Sequence, residues 1–180
     1  MIIGLVGRAR SGKDTVASLM AQHHVVRWDV QKYAFAYPIK EHVNRMFGWD
    51  SRHADGNLKE VVDPYWGFSP RHAYQTFGTD WARDDLRQDI WLKFAERAMD
   101  NAKHTIITDV RFHNEAEWIR KQPGGVLVRV DRGAEGAITE GSSHASEAEV
   151  DSIDVSFTID NRRSLGLLDD MVKECMQFIC

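Results

Sequence analysis

The sequence has little cysteine and no long apolar run, and neither charge sign is in large excess. Its two cysteines, Cys175 and Cys180, lie near the C-terminal end without the CxxC or histidine spacing of a zinc or redox site. We therefore expect reduced thiols in a terminal helix. The opening segment, MIIGLVGRAR, has no leading basic residues, and its apolar run before Arg8 is too short for a secretory signal or a membrane span. A soluble, cytoplasmic protein with no membrane partner is the expectation.

The charge balance excludes a second class of function. The 23 Lys and Arg residues are outnumbered by 27 Asp and Glu residues, which gives a net charge of −4. Such a chain has no general attraction for polyanions, so we expect no nucleic-acid polymer as a partner. Any phosphate must then bind to a local basic cluster. A length of 180 residues allows one substantial core but is too short to favour two independent domains.

Short β-branched runs alternate with helical patterns, which predicts a parallel α/β fold. The predicted strands are residues 2–6, 25–28, 105–108, 126–130 and 155–159. Amphipathic helices are predicted at residues 13–24, 114–121 and 164–179. Residues 33–102 break this rhythm because they contain helical patterns without a convincing buried strand. We therefore predict a core of residues 1–32 and 103–180 that carries a helical insert at residues 33–102.

The insert contains its own helix boundaries. Pro38 suits a first helical turn, and Gly48 suits the end of that helix. Ser69 and Pro70 form a plausible N-cap and first-turn pair for a second helix, which is predicted to end at Gly78. A third helix is predicted at residues 89–102.

The strongest motif is GRARSGK at residues 7–13, which fits GxxxxGK between a strand and a helix. Glycines let the backbone wrap closely around phosphate oxygens, and the N–H groups with the positive helix end form an anion nest. Lys13 then supplies a charge for the β and γ phosphates. Asp14 stands where the motif usually has Ser or Thr, so Thr15 is expected to hold Mg²⁺ through water. The alternative is a glycine-rich turn with a surface lysine; a GxGxxG dinucleotide turn is absent.

A second candidate site follows the predicted strand at residues 105–108. Asp109 lies where open α/β sheets bind ligands, and a carboxylate there can hold a magnesium-bound water. Arg111 could reach a phosphate with its guanidinium fork. The alternative is an Asp that caps the next helix, with Arg111 in solvent. His113, Asn114 and Glu115 are expected to cap that helix.

Other basic residues suggest an acceptor site and a lid. Lys40, Arg71 and Arg83 occur in the insert together with polar side chains that could pair with a base edge, although solvated helix faces carry such charges routinely. After the fourth predicted strand, residues 132–147 could form a short lid that delivers Arg132 to the transferring phosphoryl group. Arg129 is the weaker candidate, because side chains alternate along a strand and that of Arg129 could point outward.

Taken together, the motifs resemble the phage-type deoxynucleoside monophosphate kinase family. The resemblance spans nearly the whole chain, and the order of its motifs is more specific than any one of them. The matching motifs are GKDT at 12–15, FAYPIK at 35–40, YQTFGTDWARDD at 74–85, IW at 90–91, TDVRFHNE at 108–115, HASE at 144–147 and DN at 160–161.

The resemblance implies a P-loop nucleoside monophosphate kinase-like fold with a five-stranded parallel sheet, helices on both faces, an acceptor-binding insert and a lid. It implies transfer of the γ-phosphate of ATP, with Mg²⁺, to a deoxynucleoside monophosphate in a phage host cytoplasm. The implied ATP-binding residues are Arg10, Gly12, Lys13, Asp14 and Thr15. The implied acceptor-binding residues are Lys40, Arg71, Gln75, Gly78, Thr79, Trp81 and Arg83. Catalysis is assigned to Lys13, Asp109, Arg111 and Arg132, and metal binding to Thr15 and Asp109.

Two alternatives remain open at this stage. One is a P-loop kinase of another small phosphorylated acceptor, such as dephospho-coenzyme A or phosphomevalonate. The other is a nucleotide-binding switch module without catalysis. The base preference, the choice between deoxyribose and ribose, and a homodimer are also left open.

Overall fold

The computed structural model describes residues 1–23, 29–100, 103–133, 149–162 and 164–179. The five strands are β1 Ile2–Val6, β2 Val30–Tyr33, β3 His104–Val110, β4 Gly125–Asp131 and β5 Phe157–Asp160. The α-helices are α1 Lys13–Gln22, α2 Tyr37–Phe47, α3 Ser51–Ala54, α4 Pro70–Gln75, α5 Ile90–Ala98, α6 His113–Arg120 and α7 Leu165–Ile179. A π-helix covers Thr76–Leu86, and a 3₁₀ turn covers Val150–Ser152. None of the helices in these ranges is both long enough and apolar enough to cross a membrane.

The five strands form one parallel sheet in the order β2-β3-β1-β4-β5. Central β1 pairs with both β3 and β4, so that Ile3 lies opposite Ile106 on one side and Val126 on the other. Parallel strands place their carboxyl ends at the same edge of a sheet. The segments that follow β1, β3 and β4 therefore meet at one edge. The predicted five-stranded parallel sheet is confirmed.

Helices cover both faces of the sheet. On one face, Ile3 and Leu5 of β1 pack in a core with residues of α1 and α7. The other face carries α6, and β1 has no side chain at Gly4 on this face. A Cβ built on Gly4 would lie 2.6 Å from Cδ1 of Ile119 in α6 and 2.8 Å from Cδ2 of Leu127 in β4. Side chains alternate between faces along a strand, so Gly4 lets α6 approach the centre of the sheet.

The second strand differs from the prediction. The predicted strand at residues 25–28 lies outside the described residues. In the described part of the chain, β2 is formed by Val30–Tyr33. This segment reads VQKY and lies at an edge of the sheet, where half of its positions are polar. An edge strand does not need the continuous apolar run that marks a central parallel strand. The sequence pattern therefore gave no clear signal for β2.

The chain divides into two compact units, of which one is Met1–Ala34 with Ala98–Cys180 and the other is Phe35–Arg97. The second unit has its own small core. Val43, Trp49, Ala54, Ala73 and Tyr74 are buried there, with four partly buried apolar side chains around them. Phe47 packs edge-on against Trp66, Phe68 and Phe77. Aromatic packing thus stabilises a unit that has no described strand.

Two predicted helix boundaries of the insert are confirmed. Gly48 ends α2 with a left-handed backbone at φ 72°, and the Ser69 hydroxyl caps α4 by accepting a hydrogen bond from the His72 N–H at 3.3 Å. The predicted end at Gly78 is wrong, because the chain continues as the π-helix to Leu86. Gly78 provides space for packing instead. A Cβ there would lie 2.8 Å from Cδ1 of Ile39.

Candidate active site

The glycine-rich turn at residues 7–13, called the phosphate loop below, connects β1 to α1. Its backbone takes left-handed conformations at Arg10, with φ 60°, and at Gly12, with φ 94°. Gly7 is enclosed, since a Cβ on it would lie 2.6 Å from the Val130 carbonyl oxygen and 2.7 Å from Oγ of Ser11. The loop therefore needs both glycines, because Gly7 leaves space for its neighbours and Gly12 adopts a left-handed backbone that favours glycine.

Lys13 is buried and directs its ammonium group back into the phosphate loop. Its Nζ donates to the carbonyl oxygens of Gly7 and Arg8, each at 2.7 Å, and lies 3.3 Å from Oγ of Ser11. Only 8% of the residue is exposed. The alternative of a turn with a surface lysine is therefore wrong. A buried cation within a loop of this shape is suited to an anion.

An open cleft of about 480 Å³ lies beside the phosphate loop. One wall is the loop itself, and the other comes from the end of β4 and the residue Asp151. Arg8 forms an ion pair with Asp151, and this contact lowers the pKa of the Asp151 carboxyl. Arg132 lines the cleft, is exposed, and donates to the Arg10 carbonyl at 3.4 Å. The cleft thus combines backbone, guanidinium and carboxylate groups.

Arg129 and Arg132 have different surroundings. The Arg129 guanidinium donates to the carbonyl oxygens of Val150, at 3.0 Å, and of Ile153. These hydrogen bonds connect the 3₁₀ turn and the residue after it to β4, so Arg129 stabilises the local structure. Arg132 lies at the start of the predicted lid, of which residues 134–147 fall outside the described residues.

Asp109 is the penultimate residue of β3 and is half-buried. Its carboxylate is near the Tyr33 hydroxyl, and burial, with a smaller effect of Asp109, raises the pKa of Tyr33 to about 12. The alternative of Asp109 as a helix cap is wrong, because α6 begins at His113 and its N-cap residue is Phe112. The carboxylate therefore lies at the carboxyl end of the strands, as the sequence predicted, and β3 is the neighbour of β1, which leads into the phosphate loop.

Glu115 shapes the turn that carries Arg111. Its buried carboxylate accepts hydrogen bonds from the backbone N–H groups of Arg111, at 2.8 Å, and Phe112, at 3.2 Å. A carboxylate that reaches back to the start of a helix completes the cap expected of Glu115. Arg111 is half-buried on this fixed turn.

The candidate acceptor residues all lie on α2, α4 and the π-helix of the insert. Lys40 on α2 forms an ion pair with Asp55, and Nε of Arg71 lies 2.6 Å from Oε1 of Glu60. Arg83 is 3% exposed, so it does not belong to a solvated helix face. The remaining members differ in exposure: Gln75 and Thr79 are half-buried, Gly78 is buried and Trp81 is exposed.

The π-helix brings part of this set together. It carries Gly78, Thr79, Trp81 and Arg83, directly after Gln75 at the end of α4. The indole N–H of Trp91 donates to the Gly78 carbonyl at 2.7 Å, which holds α5 against the π-helix. π-Helical segments are rare and are frequent at functional sites. The insert contains an 11-residue segment of this kind.

Within the described residues, no group of three or more His, Cys, Asp or Glu side chains is arranged to hold a metal ion. Thr15 is exposed in the first turn of α1, and Asp109 lies at the end of β3. Hydroxyl and carboxylate oxygens are the hard donors that Mg²⁺ accepts, and Mg²⁺ keeps several water ligands when it binds with ATP phosphates. The donor set therefore suits a magnesium ion carried in by a nucleotide.

Comparison with known proteins decides the family. The family model described as deoxynucleotide monophosphate kinase matches residues 1–62 and 50–172, two overlapping segments that cover nearly the whole chain. The chain belongs to this family. The resemblance inferred from the motifs is confirmed, and the protein is a kinase of the same family.

Two viral relatives support the assignment. A protein of Acanthamoeba polyphaga mimivirus, named provisionally as a deoxynucleotide monophosphate kinase, is 34% identical over 169 residues, which cover 85% of this chain and 83% of the relative. The deoxynucleoside-5′-monophosphate kinase of Escherichia phage T5 is 26% identical over 225 aligned positions, with 90% of each chain covered.

Solved structures with a similar backbone include two shikimate kinases, from Aquifex aeolicus and Acinetobacter baumannii. Each is 14% identical to this chain, and the match covers 99% of the chain and 96% and 92% of the two neighbours. The TM-scores are 0.49 and 0.48. The family assignment therefore depends on the sequence relatives and not on these structures.

Sequence reasoning missed two features of the site. It gave no role to Arg8 or Asp151, which are 143 residues apart and become neighbours only through the fold. Asn161 belongs to the DN motif at residues 160–161, for which the sequence predicted no role, yet its amide donates to the Ser11 carbonyl at 2.8 Å. The DN pair at the end of the fifth predicted strand was the available signal, because carboxyl ends of parallel strands border the ligand.

Proposed function

We propose that this protein transfers the γ-phosphate of ATP to a deoxynucleoside monophosphate, giving a deoxynucleoside diphosphate and ADP. The observation that carries the proposal is the buried Lys13 ammonium inside the phosphate loop, in a chain of the deoxynucleotide monophosphate kinase family. Phosphoryl transfer needs little covalent chemistry from the protein. It needs fixed positions and positive charge around the transferring group.

In this proposal the phosphate loop binds the ATP phosphates. Backbone N–H groups up to Gly12 and the N-terminus of α1 surround the phosphate oxygens, and Lys13 adds its charge. Arg10, Asp14 and Thr15 complete the ATP-binding set. Arg132 lies across the cleft and stabilises the charge that builds up on the transferring phosphoryl group, as arginines do in related chemistry.

Thr15 and Asp109 would hold Mg²⁺, Thr15 through a water molecule. The bound ion would neutralise charge on the β and γ phosphates. Asp109 lies on β3, beside β1 and the start of the phosphate loop, which supports a common site at this sheet edge. Arg111, on the turn fixed by Glu115, contributes a guanidinium that contacts a phosphate.

Asp109→Asn should raise the Mg²⁺ concentration required for half-maximal rate by about tenfold or more, because outer contacts to a metal commonly change affinity 10–100-fold. The KM for the monophosphate should change little. The measurement is a Mg²⁺ titration of the initial rate at saturating substrates.

Asp154→Asn is the matched control for this titration, since it removes an exposed carboxylate elsewhere in the same compact unit. Its Mg²⁺ curve should overlie that of the wild type. Overlapping curves for Asp109→Asn and wild type would remove Asp109 from the metal site.

The insert is proposed to bind the acceptor. Lys40, Arg71 and Arg83 supply positive charge for its phosphate, and Gln75, Thr79 and Trp81 contact the nucleoside, with the close packing at Gly78 holding the π-helix against α2. Arg71 and Gln75 are four residues apart on α4, hence on one face. In this arrangement Arg71 can contact the phosphate of the acceptor while Gln75 contacts its base.

Arg71→Ala should lower kcat/KM for the monophosphate about ten- to a hundredfold, because a charge-assisted contact contributes roughly 1.5–3 kcal/mol. The KM for ATP should change little. Steady-state kinetics with each substrate varied in turn would measure both constants.

Glu60→Gln tests whether Arg71 acts on the acceptor or only on its own unit. This variant removes the charge of the carboxylate that Arg71 contacts, but it keeps Arg71 itself. If Arg71 binds the acceptor phosphate, Glu60→Gln should leave acceptor binding equal or stronger. Equal losses in Arg71→Ala and Glu60→Gln would show that the pair is needed only for the fold of the insert.

One assay distinguishes the proposal from its two alternatives, a kinase of another small acceptor and a nucleotide-binding switch module. ADP release is followed with deoxynucleoside monophosphates, ribonucleoside monophosphates, dephospho-coenzyme A and phosphomevalonate in separate reactions. The proposal predicts release that depends on an added deoxynucleoside monophosphate. A switch module would give no acceptor-dependent release at all. The cytoplasmic location, the absence of a nucleic-acid partner and a homodimer stay predictions.

A further inference from the structure

Asn161 follows β5, and its side chain lies against the phosphate loop. Its Nδ2 donates to the Ser11 carbonyl oxygen at 2.8 Å. A Cβ built on Gly12 would lie 2.3 Å from the same nitrogen. The carboxamide therefore occupies the space that any side chain at position 12 would need. Gly12 and Asn161 are complementary in shape across the loop.

Asn161 is held in place by the sheet. Asp131 of β4 pairs with Asp160 of β5, the residue before Asn161. The backbone N–H of Asn161 then donates to the Asp131 carbonyl at 2.6 Å. The Asp160 carboxylate accepts a hydrogen bond from the Arg162 N–H at 3.0 Å and closes the following turn. A side chain at the end of a paired strand has a well-defined position. The amide is therefore fixed before any ligand binds.

The bond to Ser11 sets the orientation of one peptide group in the phosphate loop. In a planar trans peptide the carbonyl and the following N–H point in opposite directions. With the Ser11 carbonyl bound to Asn161, the Gly12 N–H is turned away from Asn161. Other carbonyls of the loop also have donors: Gly7 and Arg8 accept from Lys13, and Arg10 accepts from Arg132. Loops that bind anions present their N–H groups to the ligand.

We propose that Asn161 is a positioning residue for ATP, which holds the Ser11–Gly12 peptide so that the Gly12 N–H faces the nucleotide phosphates. The inference depends on the proposed function, because it takes the phosphate loop as the ATP site. Asn161 acts through the loop backbone and is not a catalytic residue. An N–H that is already oriented costs no rearrangement when the phosphate arrives.

Asn161→Asp is the sharpest test, because it keeps the size of the side chain and replaces the donor with an acceptor. The Ser11 carbonyl would then be repelled. The dissociation constant for ATP, measured by calorimetry without acceptor, should rise about ten- to a hundredfold, because the variant loses a partly buried polar contact and also places a negative charge beside the ATP phosphates. The KM for the monophosphate should stay within about twofold, and the melting temperature should change little. Asn161→Ala, which only removes the donor, should weaken ATP binding less.

Asn57→Asp is the matched control, with the same chemical change and the same added charge at an exposed position of the insert. It should bind ATP like the wild type. Unchanged ATP affinity in both Asn161 variants would overturn the inference. So would equal losses for ATP and monophosphate that accompany a lowered melting temperature. A wild-type protein that binds ATP without phosphorylating deoxynucleotides would contradict the proposed function alone, because ATP binding still tests Asn161.

Discussion

Lys13→Ala is expected to lower turnover at least about 10²- to 10³-fold, the loss seen when one preorganised electrostatic contact to a transition state is removed. The reason is the position of the ammonium group. It is buried against the carbonyls of Gly7 and Arg8 and the hydroxyl of Ser11. Charge that accumulates on a phosphoryl group in this loop would meet the Lys13 cation in a partly dry environment, where the attraction is stronger than in water.

The measurement is kcat at saturating ATP, Mg²⁺ and monophosphate, with a thermal melt of each protein beside it. Lys121→Ala is a suitable control because Lys121 is exposed at the end of α6. If Lys13→Ala folds and keeps more than about a tenth of wild-type turnover, the catalytic role of the phosphate loop is wrong.

Gly12→Ala is the second large effect, and two independent features of Gly12 predict it. Its backbone has φ 94°, where a Cβ costs roughly 1–2 kcal/mol. The new Cβ would also lie 2.3 Å from Nδ2 of Asn161, which would have to move away from Ser11. Both effects displace the backbone N–H groups that are proposed to bind phosphate. Displacement of a site by about 1 Å can cost 10²-fold in rate, so a loss of about that size in kcat/KM for ATP is expected.

Gly48→Ala separates the backbone cost from the local clash. Gly48 has a similar left-handed backbone, with φ 72°, but the Cβ it would gain has no atom within 4 Å apart from those of Gly48 and its chain neighbours. Gly48→Ala should therefore lower the free energy of unfolding modestly and leave kcat/KM for ATP near the wild-type value. Equal kinetic losses in the two variants would mean that Gly12→Ala acts through general destabilisation.

The core of the fold could be predicted because central strands and the glycine turn leave strong local patterns. Ile2–Val6 is an apolar run that ends in a glycine, and Lys13 follows at the spacing that the turn requires. β2 could not be predicted in the same way. It is a four-residue edge strand with two polar residues, and edge strands need less apolar surface than central ones.

The insert shows why a boundary residue can be misread. Glycine is common after a helix because it tolerates a left-handed backbone, and this rule is right at Gly48. At Gly78 the same residue provides room for Ile39 instead, and its backbone carbonyl accepts the indole N–H of Trp91. The difference depends on tertiary packing, which a single sequence does not display.

The candidate site could be predicted from the sequence only where its residues are close along the chain. The phosphate loop is one contiguous motif, and Asp109 with Arg111 is another. Asn161 and Asp151 reach the loop across 150 and 143 residues, through the parallel arrangement of β1, β4 and β5. Their contacts with the loop are hydrogen bonds and ion pairs that the order of the strands creates.

The central claim is phosphoryl transfer from ATP to a deoxynucleoside monophosphate, and the direct measurement follows the phosphate itself. The protein is incubated with Mg²⁺, ATP labelled at the γ-phosphate, and each of the four common deoxynucleoside monophosphates or their ribose counterparts. Labelled products are then separated. We predict a labelled deoxynucleoside diphosphate with at least one of the deoxy acceptors, and none with Lys13→Ala on the same time scale. Label that stays in ATP, or appears only as inorganic phosphate with every acceptor, would contradict the proposed function.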